Sequence, residues 1–150
     1  MVPLISSAAS ASDLTFELND DGASYFVSDC DMDASGEIVI PSTYNGKPVT
    51  IIGGTCFSDC SNITSIIIPD TVTRIDRYPF ARCYALVSYE VDERNTHFSS
   101  VNGILFNKDK TNLISFPAGK TDSSYIIPSN VTAIGDCAFS ECNNLTSVTI

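Results

Sequence analysis

A phenylalanine followed three residues later by a cysteine recurs down this chain, and its apolar neighbours recur with it. Phe57 and Cys60 are matched by Phe80 and Cys83, 23 residues on. Ile52 maps to Ile75, Ile63 to Leu86, Ile66 to Tyr89 and Ile68 to Val91 at the same offset. The set returns as Ile134, Phe139, Cys142, Leu145, Val148 and Ile150, offset by 59 from the second copy. A fixed period in the twenties is the mark of stacked repeats, in which neighbours bury an apolar edge that no unit can bury alone. The product is a long surface rather than an enclosed pocket, which favours binding over catalysis.

Each unit carries one short strand: 37–40, 65–68, 88–91, 124–127 and 147–150. Side chains alternate across a strand. Ile38, Ile66, Tyr89, Tyr125 and Val148 therefore face one way with Ile40, Ile68, Val91, Ile127 and Ile150, as core columns. The outward face carries one column of Glu37, Ser65, Ser88, Ser124 and Ser147, and another of Val39, Ile67, Glu90, Ile126 and Thr149. After each strand a link leads to a short helical turn bearing the Phe and Cys. One unit departs. Residues 95–121 lack the Phe-x-x-Cys element, and the runs 103–106 and 113–116 flank a polar tip, which predicts a β-hairpin.

Residues 13–36 hold two alternating runs around Asn19-Asp20-Asp21-Gly22, a hairpin signal read as an N-terminal cap. The first link, 42–48, has Asn45-Gly46 as its turn. Residues 1–12 read as a flexible tail or the remnant of a secretory leader, with Ala9-Ser10-Ala11 resembling a cleavage site. The repeats, 37–150, end on a strand without a polar capping unit, so the expectation is that they begin a longer array.

Composition narrows the classes. Eighteen acidic against eight basic residues give a net charge of −10, with no basic cluster to attract a phosphate backbone, so nucleic acid is not an expected partner. No apolar run is long enough to insert in a membrane. Six cysteines admit three disulfides in an exported protein. The repeat phase points instead to reduced thiols, with Cys60, Cys83 and Cys142 in one internal column, Cys56 and Cys137 in the turns of their own repeats, and Cys30 standing alone.

The unit Ile134-Gly135-x-x-Ala138-Phe139-Ser140-x-Cys142-x-x-Leu145-Thr146-Ser147-Val148-x-Ile150 resembles the BspA-like leucine-rich repeats, also called the Treponema pallidum type. The likeness covers 37–150, and the hairpin unit beginning Val101-Asn102-Gly103 is similar to an insertion seen in that family. Asp76 and Pro79 depart from its glycine and alanine. The resemblance implies a right-handed leucine-rich solenoid with a parallel sheet of about five strands, and exported or surface-attached proteins of host-associated bacteria and some protists. Some of these are adhesins, and enzymatic activity is not a property of the family.

Candidate sites follow from the same columns. Val39, Ile67 and Ile126, apolar at outward positions and accompanied by Ser65, Ser88, Ser124, Glu90 and Thr149, form the expected partner-binding face. Asp31-x-Asp33-x-Ser35-Gly36 matches the first half of a calcium loop, but Ser42 stands where the bidentate Glu is due, so a solvated turn is the preferred reading. His97 is the sole histidine, in a polar loop with no defensible cysteine partner, so neither catalytic residues nor a cofactor are expected. Asn62, Asn130 and Asn144 begin Asn-x-Thr sequons that the repeat consensus itself spells.

The leading expectation is an exported or cell-surface module that binds a host or neighbouring-cell protein, such as an extracellular-matrix or plasma protein. The alternative is a structural spacer displaying another domain. A glycan-binding module ranks below both, because no exposed Trp or Tyr platform is expected.

Overall fold

The computed structural model describes residues 12–150. The leader reading therefore lies outside the described residues except for Ser12. From Leu14 on, the described residues are β-strands joined by turns and loops. Leu14–Leu18 (β1) and Tyr25–Cys30 (β2) form an antiparallel hairpin, and Ser35–Val39 (β3) follows. Thr43–Tyr44 (β4) turns back through Asn45-Gly46 onto Lys47–Ile52 (β5). Those two turn residues have φ of 48° and 75°, the paired left-handed geometry that suits a two-residue hairpin. Asn62–Ile68 (β6), Arg74–Ile75 (β7) and Ser88–Val91 (β8) complete the first half.

Two parallel ladders run through this half. β3, β6 and β8 pair in order, with Ile38, Ile66 and Tyr89 in register. β2, β5 and β7 form the second, with Ile52 opposite Ile75. The links that follow the first ladder's strands thus contain short strands of their own. The N-terminal hairpin joins this second ladder and not the first. Between the ladders lie Ile38, Ile52, Phe57, Ile63 and Ile66, all 0% exposed. Each such aliphatic side chain contributes about 1.5–3 kcal/mol when fully buried.

The expected helical turns are not present. Residues 53–60, 76–83 and 135–142 are turns without helix. The cause is local. Thr55, Tyr78 and Cys137 occupy one repeat position and Asp59, Arg82 and Glu141 another, and all six have φ between 57° and 66°. Two left-handed residues per turn interrupt the right-handed path that a helix requires.

The hairpin unit is larger than expected. It is a three-stranded meander of Phe98–Val101 (β9), Ile104–Asn107 (β10) and Asn112–Ser115 (β11). Asn102-Gly103, at φ 50° and 79°, makes the β9–β10 turn. Ser124–Ile126 (β12), Ala133–Ile134 (β13) and Ser147–Thr149 (β14) follow; β13 pairs with β11, and β14 with β12.

The sheet of about five strands is therefore split into three and two. β8 does not meet β12, because the meander covers its edge. Tyr89 donates its amide to Gly103 O at 2.9 Å, and Val91 donates to Ser100 Oγ at 3.0 Å. A β-carbon on Gly103 would lie 2.9 Å from that of Ser88, so the approach requires glycine. The core divides likewise into one large cluster and a smaller one around Ile104, Phe106, Leu113, Phe116 and Ala138. Val91 and Tyr125 are only partly buried. Val148 and Ile150, expected in the core columns, are 41% and 98% exposed, since no described strand stacks on β14.

Candidate recognition face and its clefts

The register of the strands places the outward columns as alternation predicts. Ser65 lies between Glu37 and Ser88, and Ile67 between Val39 and Glu90. Ser124 faces Ser147 and Ile126 faces Thr149 on the other half-sheet. The columns do not form one apolar patch. Val39 is 40% exposed, Ile67 is half-buried, and exposed Glu90 closes that side. Ile126, at 74%, stands on the second half-sheet across the break.

A cleft of about 430 Å³ occupies the break. Val101, Phe106, Tyr125 and Ile126 supply its apolar walls, and Lys110 and Lys120 bring two of the chain's eight basic residues to it. Lys120 pairs with Asp122 at 3.3 Å. Among the described residues β12 pairs only with β14, so its other edge offers backbone donors and acceptors beside an exposed isoleucine. This combination of apolar groups, cation and unpaired strand edge suits a protein partner. The cleft was not legible as such, because the outward columns alone do not show where the sheet breaks.

The turn before β3 uses its acidic residues locally. Asp31 Oδ1 accepts the Asp33 amide at 2.9 Å, and the Asp31 carbonyl accepts the Ala34 amide at 3.0 Å. Asp31, Asp33 and Ser35 are exposed, and Ser35 begins β3. Among the described residues no three His, Cys, Asp or Glu side chains are grouped to hold a metal ion. His97 is exposed, with Nδ1 3.0 Å from the Thr96 hydroxyl. Asn130 and Asn144 of the sequons donate their amides to the carbonyls of Lys110 and Lys120 at 2.7 and 2.9 Å.

The thiols form a column longer than the repeat phase showed. Cys60 Sγ donates toward the Cys30 and Asp31 carbonyls at 3.8 and 3.6 Å, so Cys30 is the first member and not an isolated residue. Cys83 Sγ donates to Phe57 O at 3.1 Å, and Cys142 Sγ to Phe116 O at 3.5 Å. The six described cysteines are free. Burial pushes the Cys83 thiol up to about 12 and Cys142 to about 11. Cys137, in a left-handed turn, is exposed and is not a core thiol.

Phe116 and Gly119 are the parts of this column that the Phe-x-x-Cys pattern missed. Phe116 packs on Phe139 with ring centroids 5.5 Å apart, as Phe57 packs on Phe80 at 5.9 Å. The signal was present: Phe116 precedes Phe139 by the same 23 residues that separate Phe57 from Phe80. Gly119 occupies the cysteine position, with backbone of Tyr84 and Ala85 2.7 Å from where its β-carbon would be. Asn95 was also missed. It is 0% exposed, donating to the Pro69 and Val72 carbonyls and accepting the His97 and Phe98 amides, which locks the meander to the second repeat. Tyr44, Tyr78 and Tyr84 are 37%, 46% and 48% exposed.

With this geometry in hand, the family model described as the BspA type leucine-rich repeat region matches in six copies over residues 35–123 and 116–150. The chain belongs to that family. Its fold is shared with a leucine-rich repeat protein from Eubacterium ventriosum at TM-score 0.59 and 21% identity, over 94% of this chain and 58% of that one. The pneumococcal vaccine antigen PcpA aligns at TM-score 0.65 and 23% identity, over 79% of this chain and 40% of its own. A leucine-rich repeat protein from Bacteroides capillosus aligns at TM-score 0.53 and 26% identity, over 91% and 93%. The chain thus spans 58% and 40% of the first two. No curated protein matches its sequence. Leucine-rich repeats of this kind are typical of protein-interaction and surface modules. No helix among the described residues is long and apolar enough to cross a membrane, which leaves β-barrels unaddressed.

Proposed function

We propose that this chain is an exported or cell-surface recognition module that binds a protein on a host or neighbouring cell. The contact surface is the strand face with the break beside β12. The observation that carries the reading is Ile126, a large aliphatic side chain 74% exposed at the mouth of the apolar cleft and next to an unpaired strand edge. Val39, Ile67, Glu90 and Thr149, with Ser65, Ser88 and Ser124, form the flanking mixed surface, as a polar rim does around an interface anchor. The family and the bacterial relatives support surface exposure in bacteria that live with a host.

The test is saturable binding of the purified chain to immobilised extracellular-matrix and plasma proteins, beside an Ile67→Asp, Ile126→Asp variant with intact folding. Binding lost in the variant supports the reading. Equal binding by both proteins rejects the strand face as the contact surface. The spacer reading draws on a different observation, that Ser65, Ser88 and Glu90 make the larger half-sheet polar along most of its length. Absence of binding by either protein would favour it.

A further inference from the structure

The stack of loop-side turns has a missing member. Four residues separate Ile52 from Phe57 and Ile134 from Phe139, but only Ile114 and Ser115 separate Leu113 from Phe116. Leu113 is paired in register with Ile134, so the meander unit is two residues short at this point and builds no left-handed turn. A cleft of about 490 Å³ stands between the turn at 76–83 and the turn at 135–142. Its volume falls in the range of about 300–1,000 Å³ usual for ligand sites. Phe80, Tyr89, Phe98, Ile114 and Phe116 make its floor aromatic and aliphatic.

The backbone on either wall lacks the partners its repeat position calls for. In the intact pair of turns, the amides of Thr55, Phe57 and Asp59 donate to the carbonyls of Arg77, Pro79 and Ala81 at 3.3, 2.9 and 3.0 Å. One repeat on, the amides of Tyr78, Phe80 and Arg82 have no acceptor among the described residues. On the far wall the Asp136 carbonyl, counterpart of Arg77's, has no donor, while that of Ala138 accepts the Phe116 amide at 2.7 Å and that of Ser140 the Cys142 thiol at 3.6 Å. Asn112, which also lines the cleft, has a buried Oδ1 without a hydrogen-bond partner. Three donors on one wall and one backbone acceptor on the other are what an inserted peptide would satisfy. The rim charge selects among peptides. Arg74 is engaged with Asp76 at 2.8 Å, which leaves Arg77 against exposed Asp136 and Glu141.

We propose that this cleft binds a short extended peptide of a partner protein: its backbone takes the vacant ladder positions, an apolar side chain rests on the aromatic floor, and a basic side chain meets Asp136 and Glu141. The site goes beyond the strand-face reading, and of its lining residues only Phe116 also lines the cleft beside β12.

The experiment is an amide-shift titration of the whole chain by NMR with three capped tetrapeptides. The first is Ala-Phe-Lys-Ala, the second carries Glu for Lys, and the third is the first with its Phe and Lys amides methylated. The lysine peptide is expected to bind with a dissociation constant of about 1 mM or tighter, the glutamate peptide about fivefold more weakly, and the methylated peptide not measurably. The largest shifts should fall at 76–82 and 135–141. Asp136→Asn with Glu141→Gln, both exposed and free to fold, should erase the preference for lysine, while Ile126→Asp should leave the titration unchanged. No saturable shift with any peptide, equal affinity for all three, or shifts centred on β12 would overturn the proposal.

Discussion

The amide of Gly119 donates to the carbonyl of Leu86 at 2.8 Å, and a β-carbon at Gly119 would lie 2.7 Å from the Tyr84 carbonyl oxygen. The chain reaches the cysteine position of the column here, but the second repeat comes too close to admit a side chain. Restoring the repeat consensus with Gly119→Cys should therefore destabilise, by about 2–3 kcal/mol or more, because the clashing atoms are backbone and cannot rotate away. Urea unfolding followed by circular dichroism checks this. A variant as stable as the parent would show that the two segments are not in contact.

Asn95 makes four hydrogen bonds from a site closed to water. Asn95→Ala leaves two carbonyls and two amides with lost partners, at a cost of about 1–3 kcal/mol for the worst of them. The expected outcome is a fall of about 3 kcal/mol in unfolding free energy, with amide exchange in β9 accelerated first. Exchange quickened equally everywhere would mean that Asn95 does not tie the meander in particular.

Thiol chemistry should separate the cysteines by burial. Iodoacetamide at neutral pH should modify Cys137 well before Cys30, Cys56, Cys60 and Cys83, as mass spectrometry of peptides would show. The buried thiols also set an alkaline limit. Burial raises Cys83 from its ordinary 9.0 to about 12 and raises Cys30, Cys56 and Cys60 in the same direction. Unfolded thiols lose protons from about pH 9 while the folded ones hold them, so the unfolded state binds fewer protons and stability falls as pH climbs. The contribution is complete below pH 9 and declines toward pH 12, and a midpoint of urea unfolding unchanged between those values would contradict it.

Asp92 accepts the Arg94 guanidinium at 2.9 Å and the Arg94 amide at 2.9 Å, and these hold its carboxyl down at about 2. The depressed value means a stabilising effect present above the ordinary 3.8 and lost as pH falls through 2. Carboxyl-carbon NMR should find Asp92 titrating well below 3.8, and Arg94→Ala, which removes the guanidinium and keeps the amide, should return it part of the way. A normal value in the parent chain would show that the pair does not persist in solution.

The strands were legible because their signal is a period of two nested in a period of 23, and both were written in side chains that point inward. The pairing of Ile38, Ile66 and Tyr89 follows from it directly. The turns were misread as helical because Thr55, Tyr78 and Cys137 take a left-handed backbone, and none of these residues advertises it as glycine does. The β10–β11 hairpin was read from the runs 103–106 and 113–116, whereas the Asn102-Gly103 turn and the 23-residue step from Phe116 to Phe139 were signals that went unread. The broken sheet was not visible. Whether β8 meets β12 depends on where an insertion lays its backbone, which no repeat position encodes. The register has the outward columns as alternation predicts, and the cleft beside β12 was not foreseen.

Strand β10 joins the two cores, since Leu105 belongs to the larger cluster while Ile104 and Phe106 on either side of it belong to the smaller. A repeat protein normally distributes load over equal interfaces. Here a four-residue strand works as a rivet between two unequal blocks, and tension along the solenoid should open the molecule there first, releasing the smaller C-terminal block while the larger one remains folded.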